Sequence, residues 1–321
     1  MRRRLRLLAW ALGALVLAAV IALVAFFAVL GSGDPVAAAR APLPAYGAQS
    51  LGTDRIEKGG AVRRYESWLL TAPDRLPVHF TVSLPEDGIA GRMPVLLIVG
   101  GLRSGRENLE RLPPLGPNAL ISVEYPGRDA IRDKALAIPE RIATIRRSAT
   151  AMPEQLAAVL DWARAQAWAD PGRVSLLGYS LGAVFMPVTQ EKARANGIAV
   201  ETTIMAFGGA DVGHIIPTAL RIETPLLRKV VGVLATSLLH PVEPRYFLPR
   251  MSGDILIVNA EDDELIPPTS SALMTELAPE PKWVVTMPGE HIDPRDPAML
   301  QKVVDVTKAW LIERGAANPE Q

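Results

Sequence analysis

Apolar positions along this chain fall into three regimes. Between Leu7 and Leu30 there is no charged residue over 24 positions. As a helix this run spans about 36 Å, enough for a hydrocarbon core of roughly 30 Å. Short apolar runs alternating with amphipathic stretches then follow to the C-terminus. Val62–Leu70 and Val78–Leu84 read as strands joined by a proline-bounded turn. Pro94–Val99 and Ala119–Val123 are continuous apolar runs, the pattern of strands buried on both faces. Arg173–Leu177, Val200–Phe207, Ile255–Asn259 and Trp283–Met287 predict further strands. Helical spacing predicts Ala151–Trp168, with Pro153 near its start, then Leu181–Ala195, Ser270–Leu277 and Pro297–Arg314. Strands alternating with helices predict an α/β domain with a mostly parallel sheet covered on both faces. Asp211–Arg250 breaks the alternation with proline-punctuated helical segments, among them Leu226–Leu239. It predicts an inserted cap, the alternative being an ordinary crossover with long loops.

The flanks of the first run set its meaning. Arg2, Arg3, Arg4 and Arg6 precede it, so the expected topology is a single-pass anchor with the catalytic domain on the non-cytoplasmic side, periplasmic or extracellular. A cleaved signal peptide is the competing reading, with Ala37–Ala39 as a small-residue cleavage site. The expected organisation is an anchor over 1–30, a Pro/Gly/Ala-rich tether over 31–60 and one globular domain over 61–321, with the cap at about 211–250.

Composition narrows the chemistry. Lys+Arg and Asp+Glu are both 34, so there is no basic surplus of the kind nucleic acid binding requires. The chain has no cysteine, which removes disulfides, thiolate metal sites and a cysteine nucleophile. Its four histidines, His79, His214, His240 and His291, include no i, i+4 pair. No cofactor and no metal is expected.

Gly178-Tyr179-Ser180-Leu181-Gly182 fits Gly-x-Ser-x-Gly. The five-residue pattern is weak alone, but here a predicted strand runs into it and a predicted helix leaves it. That is the context of a nucleophile elbow, where serine sits on a tight turn and the flanking glycines avoid clashes. The helix N-terminus then favours negative charge developing beside the serine.

With Leu160-Asp161-Trp162, Asp170-Pro171-Gly172-Arg173-Val174 and this elbow, the chain resembles the α/β-hydrolase superfamily, nearest to its dienelactone-hydrolase-like and prolyl-oligopeptidase-like serine hydrolases. The resemblance covers roughly residues 62–311. Ala183 departs from it, where many relatives carry another glycine. The resemblance implies the chain order serine, acid, histidine. It selects Asp263, four positions before Pro267 in the loop after Ile255–Asn259, with Asp262 as the alternative. It selects His291, in the loop after Trp283–Met287, as the base. His79, His214 and His240 are expected to have no catalytic part. The implied oxyanion donors are the backbone N–H groups of Leu181 and, from Gly100-Gly101-Leu102-Arg103-Ser104-Gly105, of Leu102, with Gly101 as the alternative. Arg103 and Arg106 in that region are either solvated or in reach of an anionic substrate group.

These residues predict a serine hydrolase acting on a carboxylic ester or thioester through an acyl-enzyme, on a small or lipid-like acyl substrate. A peptidase or acyltransferase would use the same triad. A catalytically inactive binding domain is the reading from a different class. Only a short segment, Leu51–Gly91, precedes the first core strand, which leaves no room for a peptidase propeller and favours small substrates.

Overall fold

The computed structural model describes Trp10 and residues 25–58, 61–86, 91–101, 104–129 and 137–320. Nine strands form one sheet in the order β1-β2-β3-β5-β4-β6-β7-β8-β9, where β1 is Gly47–Lys58, β2 Ala61–Thr71, β3 Val78–Pro85, β4 Met93–Val99, β5 Ala119–Val123, β6 Ala169–Tyr179, β7 Thr202–Ala206, β8 Asp254–Ala260 and β9 Lys282–Met287. The first three pair antiparallel, and β3 joins β5 antiparallel. From β5 through β4, β6, β7, β8 and β9 every pairing is parallel.

The continuous apolar runs are buried on both faces. In β4, Val95, Leu97 and Val99 enter one core cluster, while Leu96 and Ile98 enter the other. In β8, Ile255 and Ile257 divide from Leu256 and Val258 in the same way. The pleat sends successive side chains to opposite faces, so a strand with helices on both sides must be apolar at every position. Each core leucine or isoleucine removed from water in this way contributes about 1.5–3 kcal/mol.

Three expectations need correction. The tether expected over 31–60 is structured in its described part: Pro35–Ala39 is a short helix capped by Asp34, and Gly47–Lys58 is β1. β1 lies at the sheet edge and pairs only with β2, and almost all its side chains are exposed. A strand with no buried face carries no period-2 signature, which is why the sequence pattern does not reveal it. The helix expected to begin at Ala151 begins at Ile138 and runs to Arg164, so Pro153 lies mid-helix, buried against the core. β6 starts at Ala169, four residues before the predicted strand.

The segment before β1 is clamped to the elbow helix, Leu181–Ala195. The Glu191 carboxylate, its side chain 1% exposed, accepts from both Arg40 and Arg194. Lys192 donates to the carbonyl of Ala41 at 2.8 Å, and Leu43 N donates to Asn196 Oδ1 at 2.8 Å. Burial works to raise the Glu191 carboxyl, but its hydrogen bonds to Arg194 and Arg40 and their charges outweigh burial and hold it below the ordinary 4.5. A carboxyl depressed by folding stabilises the fold at pH values above 4.5, and that contribution is lost as pH falls below it. Glu191→Gln is therefore expected to cost about 1–2 kcal/mol at neutral pH, because both arginines are half exposed and recover water. Urea melts of the two proteins should converge in acid; a gap that persists unchanged there would refute the assignment.

Between β7 and β8 the chain forms the expected helical insertion: Val212–Ala219, Pro225–Leu239 and three short 3-10 turns. Its entry is pinned by Glu243, fully buried, whose carboxylate accepts from the N–H groups of Asp211 at 2.9 Å and Val212 at 3.0 Å. The two helices touch backbone to backbone at Gly213 and Gly232, where an added Cβ on Gly232 would lie 2.5 Å from Gly213 O.

Among the described residues no helix is long and apolar enough to cross a membrane. Most of the Leu7–Leu30 run lies outside the described residues; within it, Trp10 and residues 25–30 are helical.

Candidate active site

β6 ends at Tyr179, and the chain turns through Ser180 into the helix Leu181–Ala195. Ser180 has φ 55° and ψ −123°, a left-handed backbone that a non-glycine residue adopts only under constraint. The constraint is visible. Ser180 N donates to Ala206 O at 2.8 Å across to β7, and Ala183 N donates to Ser180 O at 2.9 Å. A Cβ on Gly178 would meet Ala183 Cα at 2.7 Å, and a Cβ on Gly182 would meet Val99 O at 2.0 Å. Both glycines of the motif are thus required by close backbone approach. Ala183 packs against Gly208 just past β7, where an added Cβ would lie 2.5 Å from Ala183 Cβ.

Ser180 Oγ lies 2.7 Å from His291 Nε2. His291 Nδ1 lies 2.8 and 3.0 Å from the two oxygens of Asp263. The side chains of His291 and Asp263 are 5% and 9% exposed, so this chain of hydrogen bonds runs in a largely dry setting. Asp263 is oriented by its own loop, since its Oδ1 accepts from Leu265 N at 3.0 Å and Ile266 N at 2.8 Å. Asp262 is exposed and turns its N–H to Gly289 O at 3.0 Å. Thus of the two adjacent acids only Asp263 faces the histidine. His291 is held through its backbone N–H by the Glu264 carboxylate at 3.2 Å and edge-on by Phe207, ring centroids 5.9 Å apart. His79 and His214 are exposed, and His240 packs on Tyr246.

The N–H of Leu181 opens the elbow helix, where the first-turn donors have no partner within the helix. Leu102 and Arg103 lie outside the described residues. The loop that carries them is fixed at both ends. Tyr125 Oη donates to Gly100 O at 2.9 Å, Gly100 N donates to Ser104 Oγ at 3.3 Å, and Ser104 N donates to Gly101 O at 2.9 Å. Ser122 Oγ receives Gly105 N at 3.0 Å and donates to Ile98 O at 2.8 Å. Burial pushes the Tyr125 hydroxyl well above its usual range, so it stays a donor. Burial likewise pushes Tyr179 up to about 12, and its hydroxyl reaches Thr307 on the C-terminal helix, Pro297–Glu313. Sequence reasoning misses Ser104, Ser122, Tyr125 and Phe207. These are ordinary strand and loop residues whose role is set only by what stands opposite. Arg106 is occupied rather than free for a substrate: it pairs with Asp54 of β1 and with Glu110.

Among the described residues no group of three or more His, Cys, Asp or Glu side chains could hold a metal ion. A small cavity of about 60 Å³ behind Asp263 is bounded by Phe207, Asn259, Ile266 and Ser271.

Sheet order and strand–helix arrangement are those of the α/β-hydrolase fold. Similar solved structures include the acetyl xylan esterase 1 of Thermoanaerobacterium sp., 13% identical over 85% of this chain and 92% of that one, with TM-score 0.59. The acetyl xylan esterase of Paenibacillus sp. R4 is 15% identical over 85% and 92%, with TM-score 0.58. A puromycin-hydrolyzing peptidase of Mycobacterium tuberculosis is 16% identical over 83% of this chain but 48% of its own, with TM-score 0.55. No family model matches the chain, and no curated protein matches it in sequence.

Proposed function

We propose that this protein is a serine hydrolase that cleaves a carboxylic ester or thioester through an acyl-enzyme. The carrying observation is the unbroken hydrogen-bonded series Ser180–His291–Asp263 at a strained elbow. The esterase names of the neighbours with the same fold support the bond type. His291 Nε2 takes the Ser180 proton as Oγ attacks the acyl carbon, then returns it to the leaving group. Asp263 keeps Nδ1 protonated and stabilises the imidazolium. The Leu181 N–H, with a second N–H from Leu102, stabilises the oxyanion. The hydrogen-bonded Ser180–His291–Asp263 series argues against an inactive binding domain.

The reading is tested by a fluorophosphonate probe. Wild-type protein is expected to be labelled and Ser180→Ala is not. Labelling that survives the substitution would move the nucleophile elsewhere, and folded wild type that resists the probe would sink the activated-serine reading.

We also infer that Leu7–Leu30 anchors the protein in a membrane, with the catalytic domain on the non-cytoplasmic side. Support comes from the 24 uncharged residues behind four arginines. The chain has no cysteine, so one introduced at Leu15 can carry a single fluorophore. In vesicles its emission is expected to be quenched by lipids spin-labelled along the acyl chain; a probe there that stays as accessible as in water would exclude the anchor.

A further inference from the structure

Half of the large exposed apolar side chains in the described residues stand on two helices that touch one another. Leu226, Leu227, Val230 and Val233 stand out from the insertion helix Pro225–Leu239, and Ile138 and Ile142 from the start of the long helix Ile138–Arg164. On the insertion helix, positions 226, 230 and 233 share a stripe by helical spacing, and the buried residues Gly232 and Ala235 lie on the opposite side. A stripe of this kind in water carries a cost that an ordinary monomer surface avoids.

The C-terminal turn of the same insertion helix receives the end of the apolar N-terminal run. Arg146 Nη2 donates to Leu30 O at 3.1 Å, and its Nη1 donates to Leu238 O at 2.7 Å and Ser237 O at 3.2 Å. One guanidinium therefore ties the last residue of the run to the C-terminal turn of the insertion helix. Gly31 sits against Ser237, where an added Cβ would meet Ser237 Cα at 3.3 Å. Phe26 and Val29 project outward beside it. The charges agree with a lipid surface: between Pro225 and Leu239 the only charged residues are Arg228 and Lys229, both exposed. On this helix, apolar side chains flanked by cations are what an interfacial helix presents to anionic headgroups, while on the long helix Glu140 and Arg141 stand between Ile138 and Ile142. Topology gives the orientation. In the β5–helix–β6 crossover the helix starts at the carboxyl end of the parallel strands, which is also where Ser180 stands.

We propose that the outer face of Pro225–Leu239, with Ile138 and Ile142, lies on the bilayer surface and turns the Ser180 end of the sheet toward the lipid. This rests on the anchor reading: a run inserted up to Leu30 holds that face at the headgroup level. The occupant is the bilayer in which the protein's own anchor sits.

The test uses the full chain in vesicles of phosphatidylcholine and phosphatidylglycerol, with single fluorophores on Leu15→Cys, Val230→Cys and Glu313→Cys. Val230 is exposed, so its replacement perturbs no core, and Glu313 ends the C-terminal helix at the opposite end of the strands. Retained fluorophosphonate labelling shows each variant is folded. Spin-labelled lipid is expected to remove most of the emission at positions 15 and 230 and to leave position 313 unchanged. Quenching at 15 without quenching at 230 overturns the docked face and leaves the anchor standing. Quenching at 230 and 313 alike overturns it as non-specific adsorption. No quenching at 15 overturns the anchor reading and the docked face with it.

Discussion

Replacing Asp263 by asparagine is expected to lower kcat on a p-nitrophenyl ester by on the order of 10⁴-fold, the scale at which such a triad fails when its acid becomes an amide. The reason lies in the donor–acceptor pattern. Oδ1 of Asp263 already accepts from Leu265 N and Ile266 N, so an asparagine keeps its carbonyl there, 3.0 Å from His291 Nδ1, and puts its NH₂ in place of Oδ2 at the shorter, 2.8 Å contact. Two donors then face one another, the imidazole moves its proton to Nε2, and Nε2 can no longer take the proton from Ser180 at 2.7 Å. Asp262→Asn provides the contrast. Its side chain is exposed and its backbone N–H serves only the Gly289 carbonyl, so kcat should stay within about twofold. Steady-state kinetics on the two variants decides the matter. Comparable losses in both, or a loss confined to Asp262, would remove Asp263 from the role given to it.

Gly182→Ala is expected to have the largest combined effect on stability and rate. The new Cβ would stand 2.0 Å from Val99 O and 2.6 Å from Val99 C, and both are backbone atoms at the end of β4 that cannot rotate away. Relief requires the elbow helix to part from β4 and from Gly100, at a cost of about 3 kcal/mol or more, beyond the usual range for an extra methyl in a core. The same separation moves Leu181 N–H relative to the loop after β4. Loss of one oxyanion donor's alignment costs roughly 10²–10³-fold in kcat. Urea melts and kcat should therefore both collapse. A variant of wild-type stability and rate would mean that the elbow does not press on β4 as described.

Much of the site is legible in the amino-acid sequence. The elbow announces itself because glycine, serine and glycine are demanded by backbone crowding, and crowding restricts residue type at fixed spacing. The acid and the histidine emerge through chain order and the family resemblance, since a single aspartate or histidine in a loop carries no local signature. Between Asp262 and Asp263 the family resemblance, through its register to Pro267, favours the second. Only the fold displays the cause, a loop that aims one carboxylate at the imidazole and the other at solvent.

The parallel strands are legible because burial on both faces demands an apolar residue at every position, as in β4 and β8. β1 is not, because an edge strand with exposed side chains leaves its pairing to the backbone, which has no residue code. The clamp of Arg40 on Glu191 and the support of the Gly100 loop by Tyr125 join residues 151 and 25 positions apart. No local pattern encodes such pairs; they exist because the sheet order brings distant segments together. The sequence by itself determined the alternation of strands and helices, the elbow and the uncharged N-terminal run, all of which follow from short-range sterics and hydrophobic periodicity. The tertiary structure alone decided which carboxylate meets His291, what holds the Gly100 loop, and that Leu30 stands beside the C-terminal turn of the insertion helix, because these depend on contacts between parts of the chain that periodicity cannot relate.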